Sequence, residues 1–196
     1  MPLRIFFLCL ILSFFSFASF GQTESSFRVN LRKQMSQITQ ETIPFYTEDS
    51  SWVLPAKFQT ARKKSSLILF PTSTGETQSF SVFGHIYFVV DGKKQKLTVF
   101  RASPVTPLNR NILFIPFRDA TNGIETYEGG RYLQLNMRDF QDGFLSINFN
   151  QATHPICVHD PTYSCPIVPK TNSLSVSIRA GEKLAPGQNQ KPTRDI

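Results

Sequence analysis

His85-Ile86-Tyr87-Phe88-Val89-Val90-Asp91-Gly92-Lys93-Lys94-Gln95-Lys96-Leu97-Thr98-Val99-Phe100-Arg101 decides the fold class. An Asp-Gly pair tolerates positive φ, which the centre of a two-residue hairpin requires. On its far side, Lys96 to Arg101 alternates polar and apolar residues, so one face of the strand is dry and the other wet. The stretch therefore predicts an antiparallel hairpin with its turn at Asp91-Gly92.

Outward from the hairpin the same rhythm continues. Ser79 to Gly84 alternates and runs into His85, and Ser66 to Phe70 is an apolar run bounded by Pro71. Further strands are expected at 111–117, 131–137, 144–149 and 173–179. In 173–179, Leu174, Val176 and Ile178 alternate with serines. No strand-helix-strand rhythm of about 30 residues appears, which disfavours a parallel α/β sheet. Before the strands, Phe27, Leu31, Met35 and Ile38 recur at helical spacing and predict one amphipathic helix of about four turns, stopped ahead of Pro44. The expectation is a mostly β fold: an antiparallel β-sandwich or a small, partly open barrel with one N-terminal amphipathic helix.

The first 21 residues read as a secretory leader: Arg4, an apolar run from Ile5 to Leu12 that extends to Phe17, and small residues at Ser19 and Gly21. Cleavage is expected between Gly21 and Gln22. The apolar run is shorter than the roughly 20 residues a bilayer span needs, and Cys9 lies inside it, away from a lipoprotein position. The mature chain, about 175 residues, suffices for one domain with a real core, placed at 22–183. The Pro-, Gln- and Lys-rich tail at 184–196 has almost nothing to bury and is expected to be disordered. A protein exported to the periplasm or secreted follows, with oligomeric state left open. The formal charge is +7, but the basic knots Arg62-Lys63-Lys64 and Lys93 to Lys96 read as solvated turns rather than a nucleic-acid surface.

Two stretches are richer in Gly, Pro, Asn and aromatic residues than a plain β domain needs. Phe117, Asp119, Thr121, Gly123, Thr126-Tyr127 and Gly130-Arg131-Tyr132-Leu133 form the first; Asn148-Phe149-Asn150, Pro155-Ile156-Cys157, Tyr163-Ser164-Cys165-Pro166 and Ala180-Gly181-Glu182 form the second. Together they resemble domain-of-unknown-function family 1684, over roughly Phe27 to Lys183 and best from Leu113 onward. The chain departs from the family pattern at Thr153-His154, where a Tyr-Asn pair is expected. The resemblance implies a fold and a set of motifs, and no activity.

Chemistry is sparse. Cys157 and Cys165 are an even pair once Cys9 is removed, and in an exported protein a disulfide is the expected state. The alternative is a metal site drawn from His154, Cys157, His159, Asp160 and Cys165; the spacing matches no standard zinc pattern, so neither metal nor cofactor is expected. Arg131, after Gly129-Gly130, offers a bidentate fork for a carboxylate or phosphate. Asp119, Thr121, Tyr127, Tyr132, Asn148 and Asn150 complete that candidate ligand site. An Arg131 waiting for an anion predicts that Arg131→Ala costs the empty protein little stability. Its bland counterpart is an Asp119–Arg131 pair inside the fold. His85 reads as a packed histidine, and Asp119, Glu125, Glu128, Asp139 and Asp142 supply no distinctive pair for glycoside hydrolysis. The leading function is an exported module binding a small anionic or polar ligand near Arg131. A structural or envelope-associated protein without a ligand is the alternative, and a carboxylate-dependent hydrolase a weaker one.

Overall fold

The computed structural model describes residues 24–61, 67–140 and 142–185. The expected leader, the Arg62-Lys63-Lys64 knot and all but the first two residues of the expected tail lie outside these. The fold is mostly β, as read: a seven-stranded antiparallel sheet curved into a half-barrel. Helix α1 (Ser26–Met35) precedes strands β1 (Val53–Thr60), β2 (Leu67–Pro71), β3 (Thr77–Val90), β4 (Lys93–Ala102), β5 (Ile112–Phe117), β6 (Arg131–Asn136) and β7 (Phe144–Asn148). The strand order is β6-β5-β4-β3-β1-β7, with β2 also paired to β3.

The β3–β4 hairpin is the spine. Val90 pairs with Lys93 across the two-residue turn, and Asp91 and Gly92 take φ of 49° and 73°. Fourteen residues make β3 long enough to hold two partners in succession on its other edge. Leu67 to Pro71 of β2 pair with its first half, and Lys57 to Thr60 of β1 with its second. A register shift between Val82 and Gly84 separates the halves. The main core is built from alternate residues of these strands, including Ile86, Phe88, Leu97, Val99, Leu113, Ile115, Leu133 and Ile147.

Three expectations change. Strand β1 went unread because Val53-Leu54-Pro55-Ala56-Lys57 alternates poorly and contains a proline. The sheet accepts it there, where Pro55 stands opposite Ser146 of β7. Helix α1 is ten residues long and ends at Met35. Ser36 turns its hydroxyl back onto the Lys33 carbonyl at 2.9 Å, a side-chain bond that competes with continuation of the helix. Among the described residues, the expected strand at 173–179 joins no ladder beyond a single bridge from Arg118 to Ser173. It packs against the sheet with its alternation intact, Leu174, Val176, Ile178 and Ala180 being buried in the main core.

Asn172 seats that segment. Fully buried, it accepts from the Thr98 N–H at 2.8 Å and donates to the carbonyls of Thr98 and Pro116 at 2.9 and 2.8 Å. These groups belong to β4 and β5, between which the register shows one pair of residues, Phe100 and Phe114. One side-chain amide thus bridges a part of the sheet with a sparse ladder. Asn172→Ala strands an N–H and two carbonyls and is expected to lose about 3 kcal/mol in urea unfolding. Asn172→Asp, although the same size, turns an acceptor toward two carbonyls and is expected to cost at least as much; a harmless Asp variant would contradict this role.

Candidate functional site

Arg131 opens β6 with a side chain that has no exposed surface. Its guanidinium donates to Asp119 Oδ2 at 2.6 Å, to the Ile178 carbonyl at 2.7 Å and to the Ala180 carbonyl at 2.5 Å, with a longer contact to the Glu182 carbonyl at 3.4 Å. The face of the group lies over the Phe117 ring, 5.3 Å from its centroid. Asp119 is committed as well, its Oδ1 accepting from the Thr121 N–H and hydroxyl at 2.8 and 2.6 Å and from the Ile178 N–H at 3.3 Å. The expected fork for an external anion is therefore occupied by the chain itself. The reason is local: β5 ends two residues before Asp119, and the 178–182 segment crosses directly over the start of β6. With a buried carboxylate for a partner, Arg131 is a clamp, and the expectation that its loss is nearly free is reversed.

Four of the other residues assigned to that site, Thr121, Tyr132, Asn148 and Asn150, are held in structural roles. The Tyr132 hydroxyl donates to the Pro166 carbonyl. Asn148 caps the turn that follows β7 by accepting from the Asn150 N–H at 3.0 Å, and Asn150 exchanges bonds with the backbone of Asp49 at 2.8 and 3.2 Å. Thr121 is buried in the Asp119 turn. Of the other carboxylates weighed for hydrolysis, Glu125 is engaged with Arg179 and the Tyr46 hydroxyl, and Asp139 with the Asn136 N–H. Cys157 and Cys165, expected as a disulfide, stand as two free thiols, the Cys157 N–H donating to Cys165 Sγ at 3.2 Å.

What the fold does assemble is a cleft of about 370 Å³ between the segment Glu41-Thr42-Ile43-Pro44 and the residues His154, His159, Glu182 and Lys183. Gly181 makes the geometry of Glu182 attainable. It takes φ of +79°, and a Cβ there would meet the Ala152 carbonyl oxygen at 2.4 Å. The next residue can then donate its N–H to that same oxygen at 2.8 Å. Glu182 is buried, and three groups hold its carboxylate: Oε1 meets His159 Nε2 at 2.8 Å and His154 Nδ1 at 3.0 Å, while Oε2 accepts from the His154 N–H at 2.8 Å.

His154, Cys157, His159, Asp160 and Cys165 do not converge on one point, but His154, His159 and Glu182 offer three ligand-type atoms within 4.8 Å of one another. Their protons are already assigned by the surroundings. His154 Nε2 accepts the Tyr127 N–H at 3.2 Å, which puts the ring proton on Nδ1, aimed at Glu182. A metal on Nδ1 would need the proton moved to Nε2, against the Tyr127 N–H. As built, the trio is a hydrogen-bonded relay, with His159 facing the cleft.

The electrostatics follow. Burial raises the Glu182 pKa, but the two imidazoles on Oε1 outweigh it and bring the carboxyl down to about 2. Burial lowers the His159 pKa, but the hydrogen bond and charge of Glu182, with smaller contributions from Glu41 and Cys157, raise it overall. His85, by contrast, sits on the sheet with its pKa lowered by burial and by Lys96.

Sequence reasoning named His154 and His159 as an alternative and gave Glu182 no role. The signal was present: Leu174, Val176, Ile178 and Ala180 point inward, and Glu182 is the next residue in phase, a carboxylate at a core-facing position.

Both shifts give a pH dependence. A depressed carboxyl stabilises the fold above its unfolded pKa near 4.5 and loses that contribution as pH falls through about 2. A raised imidazole stabilises below its unfolded pKa near 6.5 and loses its contribution as pH rises through the folded value. Wild type is therefore expected to exceed Glu182→Gln by about 3 kcal/mol at pH 5 to 6. The gap should narrow toward pH 3 and toward pH 8, and a pH-independent gap in urea unfolding would contradict the relay.

Comparisons with known proteins come last. No functionally curated protein matches the sequence. Among solved structures, an uncharacterized protein of Haloarcula marismortui determined in solution by NMR is similar: 29% identity, TM-score 0.62, covering 80% of this chain and 91% of that one. No helix of the described residues is long and apolar enough to cross a membrane. The profile of the family described as "Protein of unknown function (DUF1684)" matches residues 39–183, most of the chain and all of the sheet, clamp and cleft, and the chain belongs to that family.

Proposed function

We propose that the protein is an exported binding module, cut after Gly21, whose small ligand carries an anionic group and lies in the cleft beside His159. The observation that supports this best is the cleft itself. Its volume falls within the range of small-molecule sites, about 300 to 1,000 Å³, and its floor holds an imidazole whose protonated form is favoured by a buried carboxylate. Glu182 is countered by that imidazole, and Lys183 adds a positive charge to the lining, which supports an anionic group on the ligand. Glu41, also in the lining, suits a donor on the same ligand. The ligand expected at Arg131 moves with this reading to the neighbouring cleft, where Arg131 makes only a long contact to the backbone of the lining residue Glu182.

The second reading, a structural or envelope-associated protein without a ligand, is favoured by one fact: Arg131 and the motif residues around Asp119 bond one another and the covering chain, as folding devices would, with only the Arg131 Nε left over. A thermal-shift screen separates the two. The protein is recovered from the exported fraction with an intact mass starting at Gln22, then tested at pH 6 and pH 8 against small carboxylates, amino acids and inorganic phosphate. A bound anion is expected to raise the melting temperature by several degrees when it is present at about 100 times its Kd. The rise should be larger at pH 6 and absent in His159→Ala. A ligand that binds His159→Ala equally well would remove the cleft from the account, and no ligand in any class would favour the structural reading.

A further inference from the structure

Cys157 and Cys165 take no part in the hydrogen bonds of the relay, although Cys157 lies two residues from His159, and they are placed unequally. Cys165 is buried, and its backbone is tied to the end of β2: its N–H donates to the Ser73 hydroxyl at 3.1 Å and its carbonyl accepts from the Ser73 N–H at 2.9 Å. On either side, Ser164 bonds the Thr72 and Thr74 hydroxyls at 2.8 Å, and the Ile167 N–H donates to the Pro71 carbonyl at 2.8 Å. Cys157 is partly exposed, in the short turn Ile156–Val158. The chain between the cysteines keeps its shape through its own bonds. The Thr162 N–H and hydroxyl both donate to Asp160 Oδ1, at 2.9 and 2.7 Å, and Pro161, Thr162 and Tyr163 are exposed. Cys165 is thus anchored to the end of β2 without a covalent bond, and the Cys157 N–H meets its sulfur at 3.2 Å, so a bond between the two can form or break while that anchor holds.

We infer that Cys157 and Cys165 are a thiol–disulfide exchange site for low-molecular-weight disulfides, in which Cys157 attacks and Cys165 resolves. The Cys157 thiolate displaces one thiolate from R–S–S–R and forms a mixed disulfide. Cys165, losing its proton, attacks the Cys157 sulfur and displaces the second thiolate. Two electrons leave the protein, one disulfide is reduced, and the two departing thiolates take up the protons the cysteines gave. Cys157, the less buried of the two residues, is assigned the first step, and Cys165, the buried one, the second. The ionisation agrees with these roles: the Cys165 hydrogen bond, aided by Ser73 and His159, brings the Cys157 thiol down to about 7, while the same bond and burial push Cys165 up. An attacking thiol is most effective when its pKa lies near the ambient pH. This inference does not depend on the ligand reading of the cleft.

The test uses the full chain, reduced and then equilibrated natively in reduced and oxidised glutathione at varied ratios, quenched by alkylation and mapped by peptide mass. The expected result is a Cys157–Cys165 bond whose fraction follows the ratio, and in Cys165→Ser a glutathione adduct on Cys157. That adduct should form at least tenfold faster than any adduct on Cys165 in Cys157→Ser. Because a change at buried Cys165 can impair folding, native wild type treated with limiting iodoacetamide gives a second readout: Cys157 should be alkylated at least tenfold faster than Cys165, at a rate that rises through about pH 7. A bond that survives every ratio and excess dithiothreitol would identify a permanent staple and overturn the inference. A pair that stays reduced in oxidised glutathione, or a Cys165 that reacts first, would also overturn it.

Discussion

A guanidinium with no access to solvent has to be paired, and the fold is arranged around that requirement. Arg131 meets the Asp119 carboxylate and the carbonyls of Ile178 and Ala180, with Glu182 at longer range. It thereby ties the start of β6, the loop after β5 and the core-packed segment that ends at Glu182. Removing water from the pair is expensive, and the charge is tolerated because several oriented acceptors share it. Such an arrangement fixes geometry more than it adds net stability. Three stretches far apart in sequence must arrive together before any of them is satisfied.

The cleft is downstream of that constraint. Once Ala180 is held under Arg131, the left-handed Gly181 turns the chain along Ala152 and delivers Glu182 between the two histidines. Tyr127, at the end of the loop that Asp119 organises, contributes its N–H to His154 and so sets the tautomer that donates to Glu182. Clamp and relay are two buried carboxylates on one path of chain, one answered by an arginine and the other by two imidazoles. The first is closed on all sides; the second leaves His159 at the edge of open space, which is why ligand chemistry is argued for the second alone.

Much of the fold was legible because β alternation is a short-range signal. The hairpin at Asp91-Gly92 and strands β2 to β7 follow from local pattern and turn chemistry. Strand β1 was not legible, since Pro55 contradicts its pattern and only its two neighbours make it a strand. Leu174 to Ile178 were readable as alternating and buried, but whether such a stretch pairs in a sheet or lies across one depends on partners that the sequence does not place. The site was harder for the same reason. Arg131, Asp119 and Tyr132 stood out as residues too costly for a plain turn, yet their type is identical in a clamp and in an anion site, and burial separates the two. Glu182 could have been found from its inward phase after Ala180, whereas its two histidines come from a loop whose path is set by Tyr132 and Ser73.

Urea unfolding of Arg131→Ala beside wild type at neutral pH tests the central claim most directly, that Arg131 closes the fold and places the cleft. Removing one partner of a fully buried pair leaves Asp119 uncompensated, and the account predicts a loss of about 3 to 5 kcal/mol or a protein that does not fold. A loss below about 1 kcal/mol, with the variant still folded, would contradict it and return Arg131 to the role of an anion-binding residue.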